Sequence, residues 1–193
     1  TDVDQIGAFD IYSCFPSAVQ IACQEMGIPT DDPRGLTVTG GLPYFGGPGN
    51  NYVTHSIAEM MNRVRARPGM KGLVTSNGNY VTKQSAGIYS TDAPEKPFAP
   101  KDPEIYQAVI NSDKGRRSVE TPNGAAEIET YAVMHDRAGP SYAVLFGLLE
   151  DGSRFIANTP DDPGLLAHMT GNDYLGARGK VAHNEGLNIF TPD

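Results

Sequence analysis

Basic residues are scarce in this chain. Fifteen Lys and Arg against 23 Asp and Glu leave a formal charge of −8 over 193 residues. A protein that neutralises a phosphate backbone needs the opposite balance, so nucleic acid is not an expected partner. Long apolar runs are missing as well. None approaches the roughly 20 residues needed to span a bilayer, and no secretory leader opens the chain, so no membrane role is expected. Cysteine is nearly absent. Cys14 and Cys23 lie nine apart in what reads as one helix, whose rise separates them by about 13 Å, too far for a disulfide. They read as free packing thiols in a reducing compartment, and the cytoplasm is the expected location. The histidines are scattered, with no thiol at metal-ligand spacing, so no metal site is expected.

Glycine and proline are plentiful, 22 and 15. They concentrate in Gly40-Gly41-Leu42-Pro43-Tyr44-Phe45-Gly46-Gly47-Pro48-Gly49-Asn50-Asn51, where five glycines and two prolines fall in twelve residues. Such a loop lets backbone approach a ligand closely. The segment behind it, 51–67, carries Val53, Ile57, Met60, Met61 and Val64 at helical period. The N-terminal amides of that helix would face whatever the loop admits, a geometry suited to anionic or oxyanion-bearing ligands. A tight strand-to-helix connection would leave the same glycine pattern.

Up to residue 90, strand and helix alternate. A strand is expected over 6–11 and a helix over 16–26, with Ser13 as a cap, Pro16 in the first turn and Gly27 as the stop. A short β-branched strand over 36–39 leads into the glycine loop. Strands over 72–76 and 86–90 read as antiparallel neighbours across Asn77-Gly78-Asn79. This predicts an α/β layer with a mostly parallel sheet over 1–91. Residues 92–103, with Pro94, Pro97, Pro100 and Pro103, read as a stiff linker. Residues 104–193 form the second domain, with a short helix over 105–110 and then β-rich runs over 126–135, 141–150, 153–159 and 177–190. Asp151-Gly152 is a strong hairpin signal. Four or five short strands in about 70 residues predict a small antiparallel β-barrel of the OB type.

Three segments together resemble the last part of a thiolase. They are Asp10-Ile11-Tyr12-Ser13-Cys14-Phe15, the Gly40-Gly41…Gly46-Gly47-Pro48 loop, and Thr75-Ser76-Asn77-Gly78-Asn79. They match, in order, the Asn-Glu-Ala-Phe or His-Asp-Cys-Phe segment, the Gly-Gly…Gly-His-Pro loop and the late Cys-x-Gly segment of that family. The nearest branch is the sterol-carrier and acetyl-CoA acetyltransferase-like one. The tail from Glu127 is similar to the additional C-terminal domain of thiolase-like proteins. The resemblance implies a partial thiolase-like α/β domain followed by an OB-like barrel, in a family that condenses or cleaves acyl-CoA thioesters. It also implies a piece of a longer protein, consistent with Thr1 entering a strand almost at once. The missing N-terminal thiolase portion, or a second copy, is then the expected partner, covering helix faces that this portion leaves bare.

The chain departs from the family where chemistry occurs. The family histidine aligns with Gly47, the late cysteine with Ser76 or Asn77, and the first-motif Asn or His with Tyr12. A serine hydroxyl or an amide does not serve as a thiolate-type base. Cys14 matches a non-catalytic position. No catalytic residue is therefore expected, and no tightly bound cofactor. A coenzyme A thioester is the expected ligand, held by Tyr12, Ser13, Gly46, Gly47, Asn50, His55, Asn77 and Gly78. His55 reads either as a stand-in for the lost histidine or as a structural first-turn residue. The loop asparagines read as thioester-oxygen donors or as ordinary turn and cap residues. The alternative function is an OB-like module that binds a protein partner or single-stranded nucleic acid.

Overall fold

The computed structural model describes residues 1–97, 99 and 102–193. Of the proline-rich stretch 92–103, residues 98, 100 and 101 therefore lie outside the described residues. The chain divides into two compact units, Thr1–Ala99 and Pro100–Asp193.

The first unit is built on a three-stranded sheet in the order β1 (Ile6–Asp10), β2 (Lys71–Gly78), β3 (Lys83–Tyr89). β1 runs parallel to β2, and β2 runs antiparallel to β3. The sheet is thus evenly mixed, not mostly parallel. The main reason is residues 36–39, which form no strand. Two of their four amides are not free for a ladder: Val38 and Thr39 donate to the Asp10 carboxylate at 3.0 and 3.3 Å.

Helix α1 (Pro16–Met26) covers one face of the sheet and α3 (Tyr52–Ala66) the other, with a four-residue turn of helix, α2 (Leu42–Phe45), in the glycine loop. A register shift between Ile6 and Ala8 sorts the strand's side chains. Ile6, Phe9 and Leu73 pack with Cys23 of α1, whereas Ala8 and Val74 pack with Met60 and Val64 of α3. The expected bare helix faces are accordingly mostly covered, with Ile21 the exposed exception on α1. α1 begins at Pro16 and ends on left-handed Gly27, as its sequence signals predict. Ser13 does not cap it, because its hydroxyl accepts a hydrogen bond from Leu42 N at 2.9 Å instead. Cys14 lies in the loop ahead of α1, not within the helix, and both thiols are free.

The second unit opens with helix α4 (Pro103–Ser112), capped by Asp102, whose side chain accepts from Glu104 N. A closed five-stranded barrel follows: β4 (Gly124–Asp136), β5 (Gly139–Leu149), β6 (Arg154–Asn158), β7 (Arg178–Asn184) and β8 (Leu187–Pro192). Their spatial order is β4-β5-β6-β8-β7, closed by pairing of β7 with β4. This is the connectivity of an OB barrel. It is not wholly antiparallel, because β6 meets β8 in parallel.

Between β6 and β7 lies a helix that the sequence pattern did not announce, α5 (Pro163–Gly171), capped by Asp162. Its Leu166 and Met169 fill the barrel interior beside Leu145, Phe155, Val181 and Phe190. Gly147 and Gly179 are required by that packing. A Cβ at Gly147 would enter the Phe155 ring, and one at Gly179 would strike the Thr191 carbonyl. Among the described residues no helix is long and apolar enough to cross a membrane.

Candidate functional site

The three thiolase-like segments meet at one end of the first unit's sheet. Strand β1 delivers the first segment and β2 the third. The glycine loop reaches them from between α1 and α3. Three hydrogen bonds stitch the segments together. Tyr12 N donates to Thr75 Oγ1 at 2.9 Å. Leu42 N donates to Ser13 Oγ at 2.9 Å. Asn77 Nδ2 approaches Cys14 Sγ at 3.2 Å, across 63 residues of sequence.

Tyr52, at the start of α3, forms the floor of this junction and is 1% exposed. Its ring stands edge-on to that of Tyr12, with centroids 5.5 Å apart and planes at 84°. On the loop side it touches Gly47, where an added Cβ would lie only 2.6 Å from Tyr52 Cβ and 3.2 Å from its backbone nitrogen. No side chain fits at position 47 without moving the helix start. The place where the family carries histidine is closed by Tyr52.

Of the predicted ligand-binding residues, Tyr12, Ser13, Gly47 and Asn77 are therefore gathered together. Gly46 takes a φ of 77° just after α2, a left-handed backbone that only glycine adopts freely. Gly78 ends β2 opposite Lys83. Asn50 stands exposed with φ 63° and is a turn residue by its backbone. His55 lies in the first turn of α3, and its ring packs against Phe45 at 5.2 Å. Among the described residues it makes no hydrogen bond or ring contact with Tyr12 or Asn77.

Two asparagines leave a buried acceptor unpaired. The Asn77 amide nitrogen is engaged by Cys14, while its Oδ1 is buried without a hydrogen-bond partner. Asn51, which precedes Tyr52, also has a buried and unpartnered Oδ1. Leaving such an atom unpaired costs about 1–3 kcal/mol. These are acceptors, so the groups that would satisfy them carry N–H or O–H. Two cavities of this unit, about 990 Å³ and about 280 Å³, are lined by other residues.

Sequence reasoning missed the group that organises the junction. Asp10, at the end of β1, is fully buried. Its Oδ2 receives Thr37 Oγ1 at 3.0 Å, Val38 N at 3.0 Å, Thr39 N at 3.3 Å and Thr39 Oγ1 at 3.2 Å. Its Oδ1 receives Tyr52 OH at 3.0 Å and Ser56 Oγ at 2.6 Å. The hint in the sequence was a lone acid ending an apolar strand, Ala8-Phe9-Asp10-Ile11, since an unpaired charge is seldom placed there.

A second clasp lies nearby. Arg34 makes a bidentate pair with Asp32, at 2.8 and 2.7 Å, donates to the Val3 and Ile6 carbonyls, and stacks on the Phe9 ring at 4.6 Å. The hydrogen bonds from Arg34 hold the Asp32 carboxyl down at about 2. Burial, aided by the charge of Asp32, pushes the Cys23 thiol up. Cys23 is thereby a packing residue and not a nucleophile.

Comparison with known proteins fits this arrangement. The family model of the thiolase-like protein type 1 additional C-terminal domain matches residues 106–186. Among solved structures, a monomeric SCP2-thiolase-like protein type 1 from Mycobacterium smegmatis superposes with a TM-score of 0.87 at 40% identity. That match covers all of this chain and 42% of the mycobacterial one. No curated protein matches the chain. Its second unit matches the additional C-terminal domain of thiolase-like proteins, and the whole chain is similar to part of such a protein. It spans less than half the length of its mycobacterial relative.

Proposed function

We propose that this chain supplies one wall of an acyl-CoA thioester site, and that the wall has kept its architecture while losing the family's proton-handling side chains. The observation that carries this reading is the convergence of the three motif segments through Tyr12–Thr75, Ser13–Leu42 and Cys14–Asn77. The unpartnered oxygens of Asn51 and Asn77 suit a ligand with N–H groups, such as the amide-bearing arm of coenzyme A. Gly47 closed by Tyr52, and an amide at position 77, leave no general base in the family's positions, so this wall binds and does not turn over. The partial-domain character belongs to the same reading: the opposite wall comes from the rest of a full-length protein. The two free thiols fit the cytoplasm.

Exposed apolar side chains mark where further polypeptide would pack. On α4, Ile105, Tyr106, Val109 and Ile110 form one stripe, each more than half exposed. A ten-residue helix is marginal without such support. The relative is described as monomeric, which favours cover from the same polypeptide over a second copy. Sedimentation of the 193-residue chain alone should show concentration-dependent association that Ile110→Asp weakens. A monodisperse monomer would remove this part of the reading.

The binding claim is tested by titrating the chain with acetyl-CoA and, separately, with a short single-stranded oligonucleotide at two salt concentrations. Saturable acetyl-CoA binding with no oligonucleotide signal is expected. Salt-sensitive oligonucleotide binding with no acetyl-CoA signal would overturn it in favour of a nucleic-acid module. In the full-length protein, thiolysis should be absent or should depend on residues outside this chain. Turnover lost on changing Cys14 to Ala would contradict the assignment.

A further inference from the structure

We infer that Asp10 is the positioning residue of the junction: its carboxylate holds the entry to the glycine loop and the start of α3 at a fixed distance from the first and third segments. The functional part of this inference rests on the acyl-CoA reading above.

Asp10 is completely buried, and no arginine, lysine or histidine pairs with it among the described residues. Six donor atoms surround it, two backbone amides and the hydroxyls of Thr37, Thr39, Tyr52 and Ser56. A carboxylate offers about four lone-pair sites. The surplus is taken up internally, because Thr39 Oγ1 also lies 2.8 Å from Tyr52 OH and Ser56 Oγ lies 3.2 Å from Tyr52 O.

Two oxygens, two directions: Oδ2 gathers residues 37–39, which lead straight into Gly40 and Gly41, and Oδ1 gathers the first turns of α3. One group therefore sets both ends of the glycine loop. Tyr52 carries the restraint onward, since the side chain bonded to Asp10 is also the one against Tyr12 and Gly47. Ser13 and Leu42, which make the next bond along, have no hydrogen bond to Asp10 among the described residues. If Asp10 positions the loop, their bond depends on it at a distance.

Replacing Asp10 by Ala leaves the Val38 amide without its acceptor and the Thr39 amide with only Thr37 Oγ1, at 3.1 Å. Asp10→Asn is gentler. Its oxygen serves the two amides, and its NH2 faces Tyr52 and Ser56, whose hydroxyls are able to turn and accept. Val64→Ala, a cavity in the core of α3 away from the junction, is the control for general destabilisation.

Native-state amide exchange of the 193-residue chain reads the outcome, with Leu73 and Val74 as internal references. In Asp10→Ala, exchange at Val38, Thr39 and Leu42 should rise at least tenfold relative to the references, with a smaller rise in Asp10→Asn. In Val64→Ala all of these should shift by a common factor. Acetyl-CoA affinity should fall at least fivefold in Asp10→Ala and remain within twofold in Val64→Ala.

Leu42 is the deciding probe. Unchanged relative exchange at Leu42 would reduce Asp10 to a local seal and overturn the inference, and so would unaltered acetyl-CoA affinity with the loop released. If Asp10→Ala does not fold, Asp10→Asn and Tyr52→Phe carry the same comparison, with acceleration at Thr39 and Leu42 expected and its absence decisive against. If the unaltered chain binds no acetyl-CoA, the proposed function fails while the exchange pattern still decides the role of Asp10.

Discussion

The two units of this chain reach a stable core by different means. The barrel is closed, so its strands enclose one continuous apolar cluster, from Ile128 through Leu145 and Phe155 to Phe190, with α5 plugging the interior. The sheet of the first unit is open and only three strands wide, and its apolar residues fall into two separate clusters, one on each face. Such a sheet cannot fix the loops at its ends by packing alone. A buried carboxylate and a network of hydroxyls do so instead. Hydrophobic burial is nondirectional and tolerates repacking, whereas hydrogen bonds specify position but cost heavily when broken. The unit that carries the candidate site uses the second currency; the unit that carries none uses the first.

The largest effect expected from this contrast is in the barrel. Phe155→Ala, at a position 2% exposed, should cost about 3–5 kcal/mol. Amide exchange should rise across Leu145 and Val181 while Phe9 and Val74 stay protected. Joint loss of protection in both units would show that they do not stand independently, and the contrast would fail.

A smaller loss is expected when one polar strut of the first unit is removed. Ser56→Ala deletes the donor 2.6 Å from Asp10 and should cost about 1–3 kcal/mol, confined to the first unit in the same exchange experiment. A change below about 0.3 kcal/mol would mean that the hydroxyl network is redundant.

Acid should weaken each unit through its carboxyl–arginine clasps, of which one in each unit is the sharper probe. Asp32 in the first unit is held down at about 2 by hydrogen bonds from Arg34, and Glu129 in the barrel is held below its usual range by hydrogen bonds from Arg154. A carboxyl lowered in the folded state adds stability above its unfolded value, and that stability disappears as pH falls through the folded one. For Asp32 the window is from about pH 4 down to pH 2. Arg34→Ala should return the Asp32 titration, followed by carboxyl NMR shift, to the usual range and flatten that part of the acid profile. Arg154→Ala should do the same only in the barrel.

The smallest effect separates the two thiols. Cys14 is half-buried in the junction, whereas Cys23 is sealed in the α1 core with its thiol pushed up. An aromatic disulfide reagent should label one cysteine per folded chain and two after denaturation, with mass mapping placing the first label on Cys14. Equal rates would mean that α1 opens readily.

Much of this architecture was readable beforehand, and the reasons are local. Helices α1 and α3 announce themselves by apolar period, by Pro16 and by Gly27. The β5–β6 hairpin does so by Asp151-Gly152, whereas the single run expected over 177–190 is split into β7 and β8 at Asn184-Glu185-Gly186, with Glu185 and Gly186 both at positive φ. α5 drew no reading because it is only nine residues long and opens on Pro163-Gly164, although Asp162 before Pro163 is a helix start. Residues 36–39 have the β-branched composition of a strand, and only the distant Asp10 takes them out of one. The site divides along the same line. The segments and their glycines were visible as motifs. What joins them, Asp10 to Ser56 across 46 residues and Cys14 to Asn77 across 63, leaves no periodic trace in sequence.

The barrel's strand order also governs when it can be completed. β8 sits between β6 and β7 and is the last of the five to be made. During vectorial synthesis the sheet of the first unit has all three strands available while the barrel still has an open seam. The seam shuts only after Leu187–Pro192 has cleared the ribosome, when Gly179 can slide beneath the Thr191 carbonyl.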